Sequence, residues 1–392
     1  MFKRKLLILG GVLFLGLALS VNSFAKKVNL KEPYKIGCLF AFTGPASWLL
    51  GEPERRTAVW IEDKVNKAGG INGHPLKLLI EDTKGDPTAA VLAAKKLLKE
   101  GVLAIVGPST SGESMAVVPI MEEAEQILVS CAAAEAIVHD PKTDKERKWI
   151  FKTPQKDSHV VQKIYGHMKK SGITKVAIIT DTTGFGAQER EQLKKYAPEF
   201  GIAVISDETY GPKDTDLTPQ LTKIKGTEAQ AIVNWSILPA QTTVMKNRIQ
   251  LGITIPLYQS HGFGNTKYAA AAGEAAEGVI FPCGRVLVAE FLDKKHPQKK
   301  LLVEYKKAYE SQHKEDVSTF GGHALDALNL VVAALKASGP DKNKMRSFIE
   351  NKKGFVGTGG IFNFSPTDHT GLGLDSLEML TVKKGKFDLY KK

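Results

Sequence analysis

The sequence is poor in cysteine, and none of its cysteines has the spacing of a metal site. Only three occur among 392 residues, Cys38, Cys131 and Cys283, and each lies in or beside an apolar run. We interpret them as small core residues, although the sequence leaves open whether one pair forms a disulfide in an exported chain. The histidines are scattered, without a second ligand at metal spacing. We therefore expect no metal and no cofactor.

A dense basic segment is also lacking, although the formal net charge is +12. The cations are spread as pairs, such as Lys294-Lys295 and Lys352-Lys353, with acidic residues between them. This pattern is typical of a solvated surface and differs from the basic arm of a nucleic-acid-binding protein. We therefore expect no nucleic-acid partner, while an attraction to anionic ligands stays open.

Long apolar runs are absent beyond the first 25 residues. There, cations at 3–5 precede an apolar stretch over 6–19 and the small-x-small triplet Ser23-Phe24-Ala25. This order predicts a secretory signal peptide over residues 1–25. A membrane anchor is disfavoured, because the stretch is shorter than the about 20 residues that a transmembrane helix needs. We expect the mature chain to be soluble and periplasmic.

Strand and helix patterns alternate in two series along the chain. The first begins with an apolar run at 34–41, and the second follows a restart near 149–153 and ends near 256–259. Three helical patterns and a hairpin-like tail at 378–390 come after them. This order predicts two doubly wound α/β domains, each with a mostly parallel sheet covered by helices. Ligands of such sheets bind where strands end and helices begin, so the loops that leave the strands should hold the site.

One of these loops, residues 106–115, reads VGPSTSGESM. It is one residue short of a phosphate-binding loop, because Glu113 occupies the lysine position and would repel phosphate. A serine nucleophile turn is disfavoured too, because the G-x-S-x-G pattern lacks a glycine. Two interpretations stay open at this point. Either the helix N-terminus and its hydroxyls bind a carboxylate, or Ser111 only caps the helix and Glu113 lies at the surface.

The other strand-end loops carry aromatic and small residues. Trp48 and Phe185 are candidate apolar walls, and Ala132, Ala133 and Ala134 follow a strand where larger side chains would crowd a ligand. This composition is typical of a small-molecule cleft and favours the binding interpretation.

The sequence offers no convincing catalytic set. His261 follows a strand but has no partner at catalytic or metal spacing. His323 and Asp326 share a helix face but lack a nucleophile. We therefore expect a binding protein and not an enzyme; an exported esterase using Ser111 would need a histidine or aspartate beside that hydroxyl.

Several motifs, in this order and spacing, resemble a known family. They include Phe42-Thr-Gly-Pro45, Asn66-Lys-Ala-Gly-Gly-Ile-Asn-Gly73, Ile105-Val-Gly-Pro-Ser-Thr-Ser111 and the 319–327 segment TFGGHALDA. Together with the export signal, they are similar to periplasmic substrate-binding proteins of the branched-chain amino acid (leucine/isoleucine/valine-binding) type, which serve ABC importers. The resemblance covers essentially the whole mature chain.

This resemblance implies a type I periplasmic binding protein fold, in which two Rossmann-like lobes are joined by three crossovers. It places the crossovers near 152–153, 282–284 and 354–355. The N-terminal lobe would then comprise 26–152 plus 284–354, and the C-terminal lobe 153–283 plus 355–392. The implied partners are a small ligand, a membrane permease and its ATPase subunits, and we expect the chain to be a monomer.

The resemblance also assigns site residues. Ser111 matches the hydroxyl that grips the ligand carboxylate, residues 132–134 match backbone contacts, and Phe185 matches an aromatic wall. The chain departs from the amino-acid binders at three of the matched positions. His261 replaces the carboxylate that holds the ligand ammonium, Ile237 replaces a tyrosine, and Ala134 lacks a hydroxyl.

These departures point to a ligand without an amino group, because a histidine is a poor partner for ammonium. The family includes members that bind aromatic acids such as benzoate derivatives, and Trp48 and Phe185 would suit a flat ring. We therefore expect a small organic acid, with an aromatic carboxylate favoured. The alternative is a branched-chain or other aliphatic amino acid.

Overall fold

The computed structural model describes residues 31–44 and 47–391, and the predicted signal peptide lies outside these residues. The strands within them are β1 Tyr34–Phe40, β2 Leu76–Asp82, β3 Ile105–Val106, β4 Leu128–Ser130, β5 His139–Asp140, β6 Lys145–Glu146, β7 Ile150–Lys152, β8 Lys175–Asp181, β9 Ala203–Tyr210, β10 Ala231–Trp235, β11 Leu257–Gln259, β12 Ile280–Cys283, β13 Phe355–Val356, β14 Ile361–Phe362, β15 Glu378–Lys383 and β16 Lys386–Leu389. The α-helices are α1 Trp48–Lys67, α2 Pro87–Lys99, α3 Ser111–Glu123, α4 Asp157–Lys170, α5 Gly184–Tyr196, α6 Thr218–Lys225, α7 Gln241–Gln250, α8 Thr266–Ala272, α9 Lys299–His313, α10 Thr319–Ser338 and α11 Lys342–Glu350.

Two large sheets organise the chain. A five-stranded parallel sheet has the order β2-β1-β3-β4-β7, and a seven-stranded sheet has the order β16-β15-β12-β11-β10-β8-β9. In the second sheet β15 pairs antiparallel with both β12 and β16. All other neighbouring strands of this sheet pair parallel. Every residue of β10 is buried, as expected for a strand that helices cover on both faces. The predicted architecture of two doubly wound α/β domains is confirmed.

The chain passes between the two sheets three times. It leaves the first sheet after β7 and enters the second sheet at β8. After β12 it returns to the first sheet, where α10 packs against α1 and β3, and it then joins the second sheet again at β15. We call the five-stranded sheet with its helices the first lobe and the seven-stranded sheet with its helices the second lobe. The residue-level lobe boundaries given above stay a prediction.

Local sequence signals explain several helix ends. Asp86 caps α2, because its Oδ1 accepts a hydrogen bond from the Ala89 N–H at 2.8 Å, and Pro87 occupies the first helical position.

No helix among the residues that the structure describes is both long and apolar enough to cross a membrane. All three cysteines are buried and unpaired.

The interpretation in which Ser111 caps α3 and Glu113 lies at the surface is wrong. Thr110 is the capping residue, since its Oγ1 accepts a hydrogen bond from the Glu113 N–H at 3.3 Å. The buried Glu113 carboxylate in turn accepts one from the Thr110 N–H at 3.1 Å. This reciprocal capping box fixes the entry of the chain into α3 and frees the Ser111 hydroxyl for another role.

Candidate functional site

A cavity lies between the two lobes, at the carboxyl ends of their strands. Its empty space, about 340 Å³, includes the part that is open to solvent. The first lobe contributes the loops after β3 and β4 and the start of α1, and the second lobe contributes the loops after β8, β10 and β11. The lining residues are Leu50, Ser109, Thr110, Ser111, Cys131, Ala132, Ala133, Pro154, Phe185, Ile237, His261, Gly262, Phe320 and His323.

Ser111 lies in the first turn of α3 and lines the cavity. Its Oγ accepts a hydrogen bond from the Ala134 N–H at 3.3 Å, so the hydroxyl hydrogen is left to donate elsewhere. The N–H groups of Glu113 and Ser114, two and three residues after Ser111, already bond to Thr110. The N–H groups at the very start of a helix can donate hydrogen bonds to an anion, and the helix dipole favours negative charge there.

The loop after β4 brings backbone groups and small side chains to the cavity. The Ala132 N–H bonds to Ser130 Oγ at 3.0 Å, and the Ala134 N–H bonds to Ser111. Ala132 and Ala133 line the cavity, whereas Ala134 is buried behind it. Larger side chains at the two lining positions would fill part of the cavity.

An aromatic cluster forms the second-lobe wall. The Phe185 ring lies 5.8 Å from the Trp235 ring and 5.6 Å from the His261 ring, between centroids. Trp235 lies 5.9 Å from His261 and supports both rings from behind the lining. Ile237 completes this side with an aliphatic surface. The wall is suited to a flat apolar body of a ligand.

Two buried histidines face the cavity, one from each lobe. His261 follows β11 in the second lobe, and His323 lies in the second turn of α10, which packs on the first lobe. Nδ1 of each ring is buried without a hydrogen-bond partner among the described residues. Burial lowers the pKa of both imidazoles to about 3, and each would also be repelled by the charge of Lys152. Both rings are therefore neutral near pH 7.

Sequence reasoning did not assign His323 to the site. Its pattern indicated only that His323 and Asp326 share a helix face. The structure separates their roles: the Asp326 carboxylate accepts hydrogen bonds from the N–H groups of Thr358 at 2.6 Å and Gly359 at 2.8 Å. The position of His323 near the start of a helix that follows a crossover is the signal that could have identified it.

Trp48 does not line the cavity. Its side chain is 40% exposed, and the Lys267 ammonium lies 4.8 Å from the ring centroid. Next to it, Asn265 Nδ2 of the second lobe donates a hydrogen bond to the Leu49 carbonyl of the first lobe at 3.1 Å. The structure thus places Trp48 at a contact between the lobes. Its predicted contact with a ligand stays a prediction.

The lining supplies hydroxyls and imidazoles, and it includes no aspartate or glutamate among the described residues. Glu54 lies close behind it and accepts a hydrogen bond from Ser109, but burial raises the pKa of Glu54 well above its usual range. No imidazole or carboxylate in the described part of the chain bonds to Ser111 Oγ. Nor do those residues contain a group of three or more potential metal ligands.

Comparisons with known proteins agree with this geometry. The family described as "Periplasmic binding protein" matches residues 33–386. The leucine-, isoleucine-, valine-, threonine- and alanine-binding protein of Pseudomonas aeruginosa is 24% identical over 82% of this chain and 83% of its own length.

Two solved structures extend the comparison. An extracellular ligand-binding receptor from Rhodopseudomonas palustris HaA2 is 26% identical, with a TM-score of 0.85 over 92% of this chain and 100% of that one. The branched-chain amino acid transporter substrate-binding protein LivJ from Streptococcus pneumoniae, in complex with isoleucine, is 25% identical, with a TM-score of 0.78 over 91% and 98% of the two chains. The predicted type I periplasmic binding protein fold is confirmed by these likenesses.

Proposed function

Since this chain belongs to the periplasmic binding protein family, of the branched-chain amino acid type, we propose that it is the solute-binding component of an ATP-driven importer. In this proposal the exported chain acts as a periplasmic monomer. It captures a small carboxylate ligand between its lobes and delivers it to a membrane permease with ATPase subunits. The ligand stabilises the closed arrangement because it contacts both lobes at once.

The ligand we propose is an organic acid without an amino group, preferably an aromatic carboxylate. The observation that carries this proposal is the pair of neutral imidazoles, His261 and His323, in a cavity whose lining residues include no acidic side chain. The carboxylate would accept hydrogen bonds from the Ser111 hydroxyl and the start of α3. The ring would pack against Phe185 and Ile237.

An aliphatic amino acid is the second candidate. It is favoured by the P. aeruginosa relative, whose name gives leucine, isoleucine, valine, threonine and alanine as ligands. An ammonium group in this cavity would lack an ionised carboxylate partner, and burying an unpaired charge costs several kcal/mol. An esterase is a more distant candidate, because Ser111 Oγ bonds to a backbone N–H and not to a catalytic base.

A thermal-shift screen tests the proposal. Purified protein is heated with benzoate, hydroxybenzoates, aliphatic acids and each branched-chain amino acid. A ligand at 1,000 times its Kd stabilises the native state by about 4 kcal/mol, which is readily seen as a rise in Tm. We expect the aromatic acids to raise Tm and leucine to leave it unchanged. A large shift with leucine and none with aromatic acids would establish the second candidate instead.

The variant Ser111→Ala tests the carboxylate anchor. Loss of one charge-assisted hydrogen bond should weaken binding by about 10- to 100-fold. Ser114→Ala is the matched control, because Ser114 is buried on the same helix and bonds to Ser130 at 2.9 Å without lining the cavity. Equal affinities for wild type and Ser111→Ala would contradict the assigned anchor.

A further inference from the structure

The two cavity histidines each have a buried ring nitrogen without a protein partner. Nδ1 of neither imidazole has a hydrogen-bond partner in the part of the chain that the structure describes, and both side chains are almost fully buried. Buried polar groups in native proteins nearly always have a partner. Their ring contacts are aromatic: His261 packs edge-on against Phe185 and Trp235, and His323 against Phe320.

The chemistry of a neutral imidazole limits which ligand group can satisfy it. Each ring has one N–H donor and one lone-pair acceptor. A second carboxylate on the ligand offers acceptors alone, and an ammonium offers donors alone. A hydroxyl is both, so it can donate to one imidazole and accept from the other.

The two rings also come from opposite lobes. His261 follows β11 of the second lobe. His323 belongs to α10, whose first residue bonds to the second-lobe Gly264 carbonyl at 3.1 Å while the helix body packs on α1. A group that bonds to both rings therefore connects the lobes near a crossover, and it can do so only when the cleft is closed.

We propose that His261 and His323 together bind a hydroxyl group of the ligand, and that the ligand is a hydroxylated aromatic carboxylate. This inference rests on the proposed function and narrows it. His323 becomes a specificity-determining residue, although the family resemblance assigned it no role. The carboxylate end is held at Ser111, the ring at Phe185, and the hydroxyl at the two imidazoles.

Isothermal titration calorimetry with matched probes tests the inference. The probes are benzoate, 3-hydroxybenzoate, 4-hydroxybenzoate and benzene-1,4-dicarboxylate. We expect at least one hydroxybenzoate to bind about tenfold or more tightly than benzoate, because an unsatisfied pair of buried polar groups penalises the analogue without the hydroxyl. Benzene-1,4-dicarboxylate should bind more weakly than that hydroxybenzoate.

The variants His261→Phe and His323→Phe should each abolish this preference. Both keep an aromatic ring in place, so we expect the ratio of the hydroxybenzoate affinity to the benzoate affinity to fall about tenfold, to near one. His313→Phe is the control, because His313 packs on Tyr309 outside the cavity. If a phenylalanine variant does not fold, His261→Asn and His323→Asn replace it.

The outcomes separate the inference from the function on which it rests. If benzoate and both hydroxybenzoates bind equally to wild type and to the variants, the hydroxyl assignment is wrong and the aromatic-acid function stands. If the dicarboxylate binds most tightly and needs both histidines, both rings act as donors to a second carboxylate and the inference is overturned. If no aromatic acid binds, the proposed function itself fails.

Discussion

At the scale of single residues, the site combines positions that local sequence specifies with others that only the folded chain brings together. Ser111 lies in the loop region after β3 of one sheet, and Phe185 and His261 follow β8 and β11 of the other, so a strand pattern places each residue at the carboxyl edge of its own sheet. Only the folded chain brings the two edges together. Trp48 and His323 depend on the orientation of a helix. The first turn of α1 directs Trp48 outward to Lys267, and α10 directs His323 inward.

The same histidines predict a pH dependence of ligand binding. In the closed cavity, burial lowers the pKa of both imidazoles to about 3, whereas in an open cleft it should be near the solvent value of about 6.5. Below the pKa of the open state, each imidazole binds a proton in the open cleft and must lose it for the cleft to close. Closure, and with it ligand binding, therefore becomes less favourable as the pH falls below about 6.5. The affinity for benzoate should therefore be constant above about pH 7 and fall at least about tenfold between pH 7 and pH 5.

The double variant His261→Phe/His323→Phe is the comparison that isolates this effect. Other buried groups, such as Glu54 and Asp181, titrate in both proteins, and burial raises the pKa of both carboxyls. Their contribution cancels in the difference between wild type and variant. Calorimetric titrations with benzoate from pH 5 to pH 8 should show a ratio of wild-type to variant affinity that is constant above pH 7 and falls toward acid, because only wild type has imidazoles that take up protons in this range. A difference independent of pH would mean that the imidazoles are not buried as neutral groups.

At the scale of elements, the apolar periodicity locates most strands and helices, and the exceptions have physical causes. The strand pattern does not predict β12, because its sequence IFPC contains Pro282, which cannot donate to a sheet ladder. In the structure β12 pairs with β11 only at Ile280, so Pro282 lies beyond the parallel pairing and faces Met379 of an antiparallel strand. A strand of this kind depends on tertiary partners that come about 100 residues later in the chain, as the pairing with Met379 shows.

Helix α10 also fixes the third passage between the lobes. Asp326 is fully buried and accepts three hydrogen bonds from Thr358 and Gly359. The variant Asp326→Ala would leave their donors without a partner. We expect it to lower the free energy of unfolding by about 3 kcal/mol, measured by urea denaturation.

Asp341→Ala is the matched comparison for this element. Asp341 caps α11 through an exposed hydrogen bond to the Lys344 N–H, so its loss should cost only about 1 kcal/mol. Similar losses for the two variants would show that the contact of Asp326 with the crossover contributes no more than an ordinary helix cap.

At the scale of the whole molecule, the lobes meet at contacts that sequence patterns cannot predict, because they join segments from different lobes. Besides the contact of Trp48 with Lys267, the first turns of α3 and α5 approach each other backbone to backbone. A Cβ atom on Gly184 would lie 2.7 Å from Gly112 Cα and 2.9 Å from Gly112 N. Both are backbone atoms, so they can move away only if the lobes separate.

The geometry is asymmetric, and this gives a sharp prediction about closure. A Cβ atom on Gly112 would lie 3.7 Å from Gly184 N, which is an ordinary contact. Gly184→Ala should therefore weaken the affinity for the preferred aromatic acid by about 5- to 150-fold, the range of an overpacking cost of about 1–3 kcal/mol. Gly112→Ala should change this affinity less than about twofold. The Tm without ligand should stay the same, because opening of the cleft relieves the clash. Small-angle scattering with saturating ligand should show Gly184→Ala more extended than wild type. Equal affinities and equal dimensions for both variants would mean that the ligand-bound lobes do not meet at this pair of glycines.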